Sequence, residues 1–187
     1  FALVTIMQLD MYLAVYVIHY VPSQALIHWN GNSLMLSSTE ILGWLLGYSG
    51  LLFVLFLIPI TKWFHHWKER NVFVLSSLLS GIGTFALGLH TNIWFLFFVT
   101  TVFTFGEMVR SPVTQSFISR YAPEHARGQY MGADSLQYTI GRFFAPVTVF
   151  LSAWLPPMGI FTIILAAALI SAVLYILLFR IYEEGRA

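Results

Sequence analysis

An all-α membrane protein of six transmembrane helices is the fold class this chain predicts, on three observations. Hydrophobic residues fill 58% of the 187 positions and charged residues only 9%, a balance that the surface of a water-soluble domain does not tolerate. Apolar stretches long enough to cross roughly 30 Å of hydrocarbon, at about 20 residues each, recur six times. Lys and Arg fall in alternate connections, as they do when the chain crosses a bilayer repeatedly.

The first stretch, Phe1 to Val21, starts inside an apolar run with neither an initiator Met nor a charged leader. The chain is therefore expected to be a piece of a longer one. Pro22 to Glu40 follows, marked as a loop by Pro22, Asn30, Gly31 and Asn32. Ile41 to Ile60 is the second span, and Val72 to Leu89 the third, across a connection bearing Lys62, Lys68 and Arg70. Ile93 to Phe117 is the fourth, Met131 to Trp154 the fifth and Ile160 to Phe179 the sixth. Arg120 and Arg127 lie between the fourth and fifth spans, and Arg180 and Arg186 in the tail. Basic residues are retained in the cytoplasm, so both termini are expected there, in a cell (plasma or inner) membrane, with the loop at 21–40 outside. Gly81, Gly83 and Gly88, and Gly43 with Gly47, are expected to be close-packing positions between helices. The third and sixth spans carry little polarity beyond Ser and Thr, which suits helices facing lipid.

Ionisable groups inside these spans carry the functional signal, because a charge in hydrocarbon costs several kcal/mol (about 2.5–3.5 on insertion scales) unless it is paired or faces water. Glu107 lies well inside the fourth span on a stripe with Thr100, Thr104, Ser111 and Thr114, spaced by four, three, four and three residues. Such a stripe faces a cavity or another helix. Arg110, one turn on, can pair with Glu107, either as a closed bridge between helices or as a pair that opens during a cycle. Asp10 has only Met7, Ala14 and Val17 on its own face, so its partner comes from elsewhere, it is protonated, or it reaches water at a distorted helix end. The opposite face carries Gln8, Tyr12, Tyr16 and His19, and periodicity does not decide which face lines a cavity. On the fifth span, Asp134, Tyr138 and Arg142 recur at four-residue steps. Arg142 is deep enough to need an acid, Glu107 or Asp10, whereas Asp134 is expected to serve Arg127 or a neighbouring loop.

The string Gly106-Glu107-Met108-Val109-Arg110-Ser111-Pro112, with Ala122-Pro123 and Arg127-Gly128 beyond it, resembles the tenth helix and following loop of the major facilitator superfamily. Together with Met7-Gln8-Leu9-Asp10 it looks like the drug/proton antiporters of the LmrP type. The resemblance covers essentially the whole chain. It implies residues 1–187 as the C-terminal half, helices seven to twelve, of a twelve-helix transporter, built as two three-helix inverted repeats. It also implies proton coupling and binding of cationic drugs at the acids matching Asp10 and Glu107. The connection 61–71 lacks the Gly and Asp of the superfamily's basic loop motif.

The leading expectation is therefore half of a proton-coupled exporter of lipophilic cations, with Asp10, Glu107, Arg110 and Arg142 in coupling and substrate binding. Tyr12, Tyr16, Thr104 and Tyr138 are candidate pocket residues. A proton-coupled importer of peptides or other nutrients, with Arg110 or Arg142 holding an anionic group, is the alternative. An enzyme is not expected: five of the six His residues fall in loops, which gives no paired haem ligands, and no metalloprotease helix or Ser/His/Asp constellation is visible. No cofactor or metal is expected, protons being the coupling ion, and the absence of Cys excludes thiolate sites. Expected partners are a small-molecule substrate, the lipid bilayer, and either the missing six-helix half or a second copy. With a net charge of +1 and no basic patch, nucleic acid is not among them.

Overall fold

The computed structural model describes the backbone of residues 2–29, 32–121 and 123–184. The side chains at 2–6, 8–10, 28, 29, 32, 118, 119, 121, 124, 137, 145 and 182–184 lie outside that description. Six helices are present among the described residues: α1 (Ala2–Tyr20), α2 (Ser38–Phe64), α3 (Glu69–Leu87), α4 (Ile93–Tyr121), α5 (Arg127–Leu151) and α6 (Pro157–Glu184). By length and composition α2, α3, α4 and α6 are apolar enough to cross a membrane, and α1 contributes an apolar segment from Met11 to Tyr20. α5 is more polar, carrying Arg127, Asp134 and Arg142.

The expected loop at 22–40 is instead a β-hairpin, β1 (Gln24–Trp29) paired antiparallel with β2 (Asn32–Leu36). Its position explains why it is ordered. Gln24 donates through Nε2 to the Thr91 carbonyl and accepts at Oε1 from the Ile93 N–H at 3.0 Å, satisfying an amide at the start of α4. Ser38 Oγ donates to the Val21 carbonyl at 2.6 Å, tying together the two chain segments that leave the hairpin's open end. α2 starts three residues earlier than hydropathy implies because Ser37 and Glu40 form a reciprocal capping box.

Helix packing obeys a two-fold rule. α1 lies along α5 as α4 lies along α2; α3 rests on α4 as α6 rests on α1; α3 and α6 pack on each other. Exchanging the first three helices with the last three maps this set onto itself. Since α1 ends and α4 begins at the hairpin, the triplets run in opposite senses, which is the inverted-repeat arrangement.

α3 is not peripheral. Ser76, Ser77, Ser80 and Thr84 are buried on it, and Ser77 and Thr84 satisfy their hydroxyls on carbonyls one turn back. Close approach is what buries them: a Cβ on Gly106 of α4 would meet Ser80 Oγ at 2.8 Å, and one on Gly83 would meet the Phe103 backbone nitrogen at 3.0 Å. Gly81 similarly admits Ala168 of α6, and Gly88 admits Phe161. Gly43 and Gly47 differ, since a Cβ there meets nothing within 4 Å. Their helix, α2, is also widely exposed, with Val54 at 79%.

Candidate functional site

The site is organised by α4, whose polar stripe divides into two environments. Towards the hairpin, Thr104 is fully buried and shares a hydrogen bond of 2.9 Å with Ser49 Oγ of α2, while Thr101 meets the Tyr48 hydroxyl at 2.9 Å. Thr100 is buried beside them. Thr104 of the stripe therefore lies in the α2–α4 contact, with the Tyr48–Thr101 pair on the neighbouring face of α4. Glu107 comes one turn later, half-buried.

Below it, Arg110 is 5% exposed and lines a cavity of about 280 Å³ together with Thr114, Tyr130 and Asp134. Asp134 of α5 lies within electrostatic reach of the Arg110 guanidinium. Helical spacing lets Arg110 pair with Glu107 on its own helix and leaves Asp134 to Arg127 or a loop; the structure in addition brings Arg110 and Asp134 to one cavity. Phe73 roofs it, stacked on Tyr175 at 4.8 Å between ring centroids, and Phe117 and Phe179 complete an aromatic sheath. Low dielectric around the cavity strengthens the attraction between the two charges.

The other sequence-predicted residues are placed as follows. Asp10 is on α1, and its side chain lies outside the described residues. Tyr12 and Tyr16 are buried in the hydrophobic core, their rings edge-on to Phe161 of α6 at centroid distances of 5.3 and 5.0 Å. They pack α1 on α6 and line none of the cavities described here. Tyr138 and Arg142 are exposed along α5. No cluster of three or more metal-ligating side chains occurs among the described residues.

Arg120 reaches Glu69 at 3.2 Å, a solvent-exposed ion pair joining the end of α4 to the start of α3. Exposed pairs of this kind contribute about 0.2–1 kcal/mol. The ion pair fixes which helix ends are adjacent; it does not drive the fold. In the sequence Arg120 reads only as a topological marker, and Glu69, the first residue of α3, is the sign of its partner.

The whole chain, residues 1–187, matches the sequence profile of the Major Facilitator Superfamily. It is 35% identical over 180 residues to a Na(+), Li(+), K(+)/H(+) antiporter of Planococcus maritimus, covering 96% of this chain and 42% of that protein. It is 26% identical over 99 residues to the multidrug resistance protein MdtH of Proteus mirabilis (strain HI4320), covering 52% of this chain and 25% of that one. The chain thus spans less than half the length of these curated relatives.

Among solved structures, a POT family transporter in complex with 5-aminolevulinic acid superposes with a TM-score of 0.76 at 18% identity, over 95% of this chain and 38% of that one. A bacterial homologue of the human lysosomal transporter Spinster, inward-facing and unoccupied, gives 0.65 at 17% identity, over 94% and 40%. At such identities these structures speak for the fold alone. With its inverted triplets of helices, its Gly106-to-Pro112 string and a profile match from first residue to last, the chain belongs to the major facilitator superfamily.

Proposed function

We propose that this chain is the C-terminal six-helix half of a proton-coupled antiporter of the cell membrane, both its termini cytoplasmic, that exchanges protons for cations. The observation that carries this reading is the place of Glu107: a carboxylate half-buried on α4, one turn past the hydroxyls of Thr104 and Ser49 and one turn before buried Arg110. A carboxylate in low dielectric holds a proton or a cation but not both, so each occupant expels the other. Asp10 on α1 is proposed as a second proton-binding carboxylate, and Arg142 on α5 as a counter-charge to the acids. Protons are the coupling ion, and no further cofactor takes part.

A small inorganic cation is the substrate class the surroundings favour. Alkali ions are hard and are held by oxygens. Thr104 and Ser49 place hydroxyls one turn from Glu107, while Tyr12 and Tyr16, the rings that would stack on a flat organic cation, are committed to packing on Phe161. The 35% identical relative, named as a Na(+), Li(+), K(+)/H(+) antiporter, supports the same choice. Export of lipophilic cations is the second reading, supported by the relative named as a multidrug resistance protein and by exposed Tyr138 on α5. Import of peptides has only fold likeness behind it.

The exposed faces of α2 and α5, which the triplet exchange maps onto each other, are where the other six helices would pack. The test is proton exchange in inverted vesicles containing the complete transporter. Adding Na⁺, Li⁺ or K⁺ to vesicles acidified inside should release protons, and Glu107→Gln should abolish the release while the protein still inserts. Release on adding tetraphenylphosphonium but not alkali ions would turn the reading to lipophilic cations. Release undiminished in Glu107→Gln would remove Glu107 from coupling.

A further inference from the structure

A proton given up by Glu107 has to reach water, and Glu107 is half-buried on α4. One helical turn further along the same helix, Arg110 lines the cavity of about 280 Å³. Its walls come from α3, α4, α5 and α6, four helices of this half, and it lies at the end of the bundle away from the hairpin. Tyr130, in the first turn of α5, lines it and is 49% exposed, so the cavity is reached from that end.

Such a space holds water. At about 30 Å³ per molecule there is room for several, and the guanidinium of Arg110, the carboxylate of Asp134 and the hydroxyls of Tyr130 and Tyr175 give them partners. Thr114 Oγ1 donates to the Arg110 carbonyl at 3.1 Å and keeps its acceptor capacity for water.

Arg110 and Asp134 are the only charged side chains among the described residues that line the cavity. Arg110 can also pair with Glu107, three residues back on its own helix. One guanidinium therefore serves two carboxylates, from α4 and α5. When the two acids share one proton, its transfer from Glu107 to Asp134 leaves the local net charge unchanged. Arg110, 5% exposed, keeps an ionised carboxylate beside it throughout the transfer, as a buried charge requires.

A metal cation meets the opposite situation. Arg70 on α3, Arg120 on α4, Arg127 on α5 and Arg180 on α6 each lie within a helical turn of a residue lining the cavity, Arg120 being paired with Glu69. This collar, with Arg110 inside it, repels an alkali ion from the route, whereas the proton travels as the hydrogen of a neutral carboxyl group.

We infer, resting on the antiport reading, that Asp134 passes the coupling proton between Glu107 and the cytoplasm, along a water route inside this half that is separate from the path of the exchanged cation. Glu107 in its carboxyl form gives its proton to a cavity water, which hands one on to the Asp134 carboxylate. The water is restored, and Glu107 becomes anionic and open to a cation. The Asp134 carboxyl then loses its proton to water at the cytoplasmic end.

The experiment separates two exchanges of the complete transporter in vesicles: Na⁺ against protons, and labelled Na⁺ against unlabelled Na⁺, which needs no proton release. Asp134→Asn should lower Na⁺/H⁺ exchange at least about tenfold, the scale of a lost proton-transfer group, while Na⁺ self-exchange stays at the parent level. Glu107→Gln should lose both, and Asp134→Glu, which keeps a carboxylate, should retain both. Thr114→Leu takes up room for water and leaves every charge in place, so it should also slow Na⁺/H⁺ exchange alone. It carries the test should Asp134→Asn fail to insert.

Na⁺/H⁺ exchange undiminished in either Asp134→Asn or Thr114→Leu would overturn the assignment, as would equal loss of both exchanges in a variant that inserts. Those results leave the antiport reading standing as long as the parent exchanges Na⁺ for protons. A parent that exchanges no cation for protons removes that reading and the Asp134 route together.

Discussion

Arg110 of α4 and Asp134 of α5 line the same cavity, the arginine almost fully buried and the acid half-buried, beneath the stacked rings of Phe73 and Tyr175. The pair links the second triplet's first two helices at the end of the bundle away from the hairpin. Removing Asp134 takes an opposite charge from the neighbourhood of buried Arg110, a loss bounded by the about 3–5 kcal/mol of a fully buried pair, and half-buried Asp134 loses less when Arg110 is removed. Arg110→Gln and Asp134→Asn should each lower the unfolding midpoint in detergent, and the double variant should fall by less than the sum. Additive losses would mean that the two residues do not sense one another.

Gly106 and Gly83 should be intolerant where Gly47 is not. A Cβ at Gly106 runs into Ser80, and at Gly83 into the Phe103 backbone, so Gly106→Ala and Gly83→Ala should each cost about 1–3 kcal/mol through overpacking. Gly47→Ala has open space and gains helix propensity of about 1 kcal/mol. Thermal unfolding of the three single variants checks the order: two lowered midpoints and one unchanged or raised.

Tyr12 separates a packing role from a binding one. Its ring is fully buried against Phe161, and its hydroxyl has no hydrogen-bond partner among the described residues. Tyr12→Phe should leave stability within about 1 kcal/mol of the parent, because a buried hydroxyl without a partner gives little when removed. Tyr12→Ala should cost about 3–5 kcal/mol, as large aromatic truncations do. Altered cation selectivity in Tyr12→Phe at unchanged stability would place the hydroxyl at the substrate.

Gln24 is expected to hold the start of α4. Gln24→Ala removes the acceptor of the Ile93 N–H, a loss on the scale of a helix cap, about 0.5–2 kcal/mol. Hydrogen exchange should speed up at Ile93 and its neighbours and remain unchanged at the other end of α4. Uniform acceleration along α4 would instead indicate that the whole helix had loosened.

Hydropathy was enough for the helices because each span is a long apolar run, and the basic connections gave their alternation. What it missed was local chemistry and tertiary contact. Asn30-Gly31 between two apolar strands is the strongest short hairpin signal, and Ser37 with Glu40 spells a capping box, yet both sat inside a segment judged by its polar composition. At the site, the stripe from Thr100 to Thr114 was legible because helical spacing fixes which residues share a face. That Asp134 shares a cavity with Arg110 was not, because periodicity reports neighbours on one helix and Asp134 arrives from another. For the same reason periodicity does not assign Tyr12 and Tyr16 to core or cavity, and the row of Ser and Thr on α3 reads as a lipid-facing helix although its contacts with α4 and α6 bury it.

The clamping of the hairpin has a mechanical result. Gln24 grips the start of α4 and Ser38 grips Val21 at the close of α1, so three helix ends are bolted into one plate. Any rocking of this half must therefore carry that plate as a single body, and bending within the half is confined to the far side, where the helices are joined by the short connections at 65–68 and 122–126.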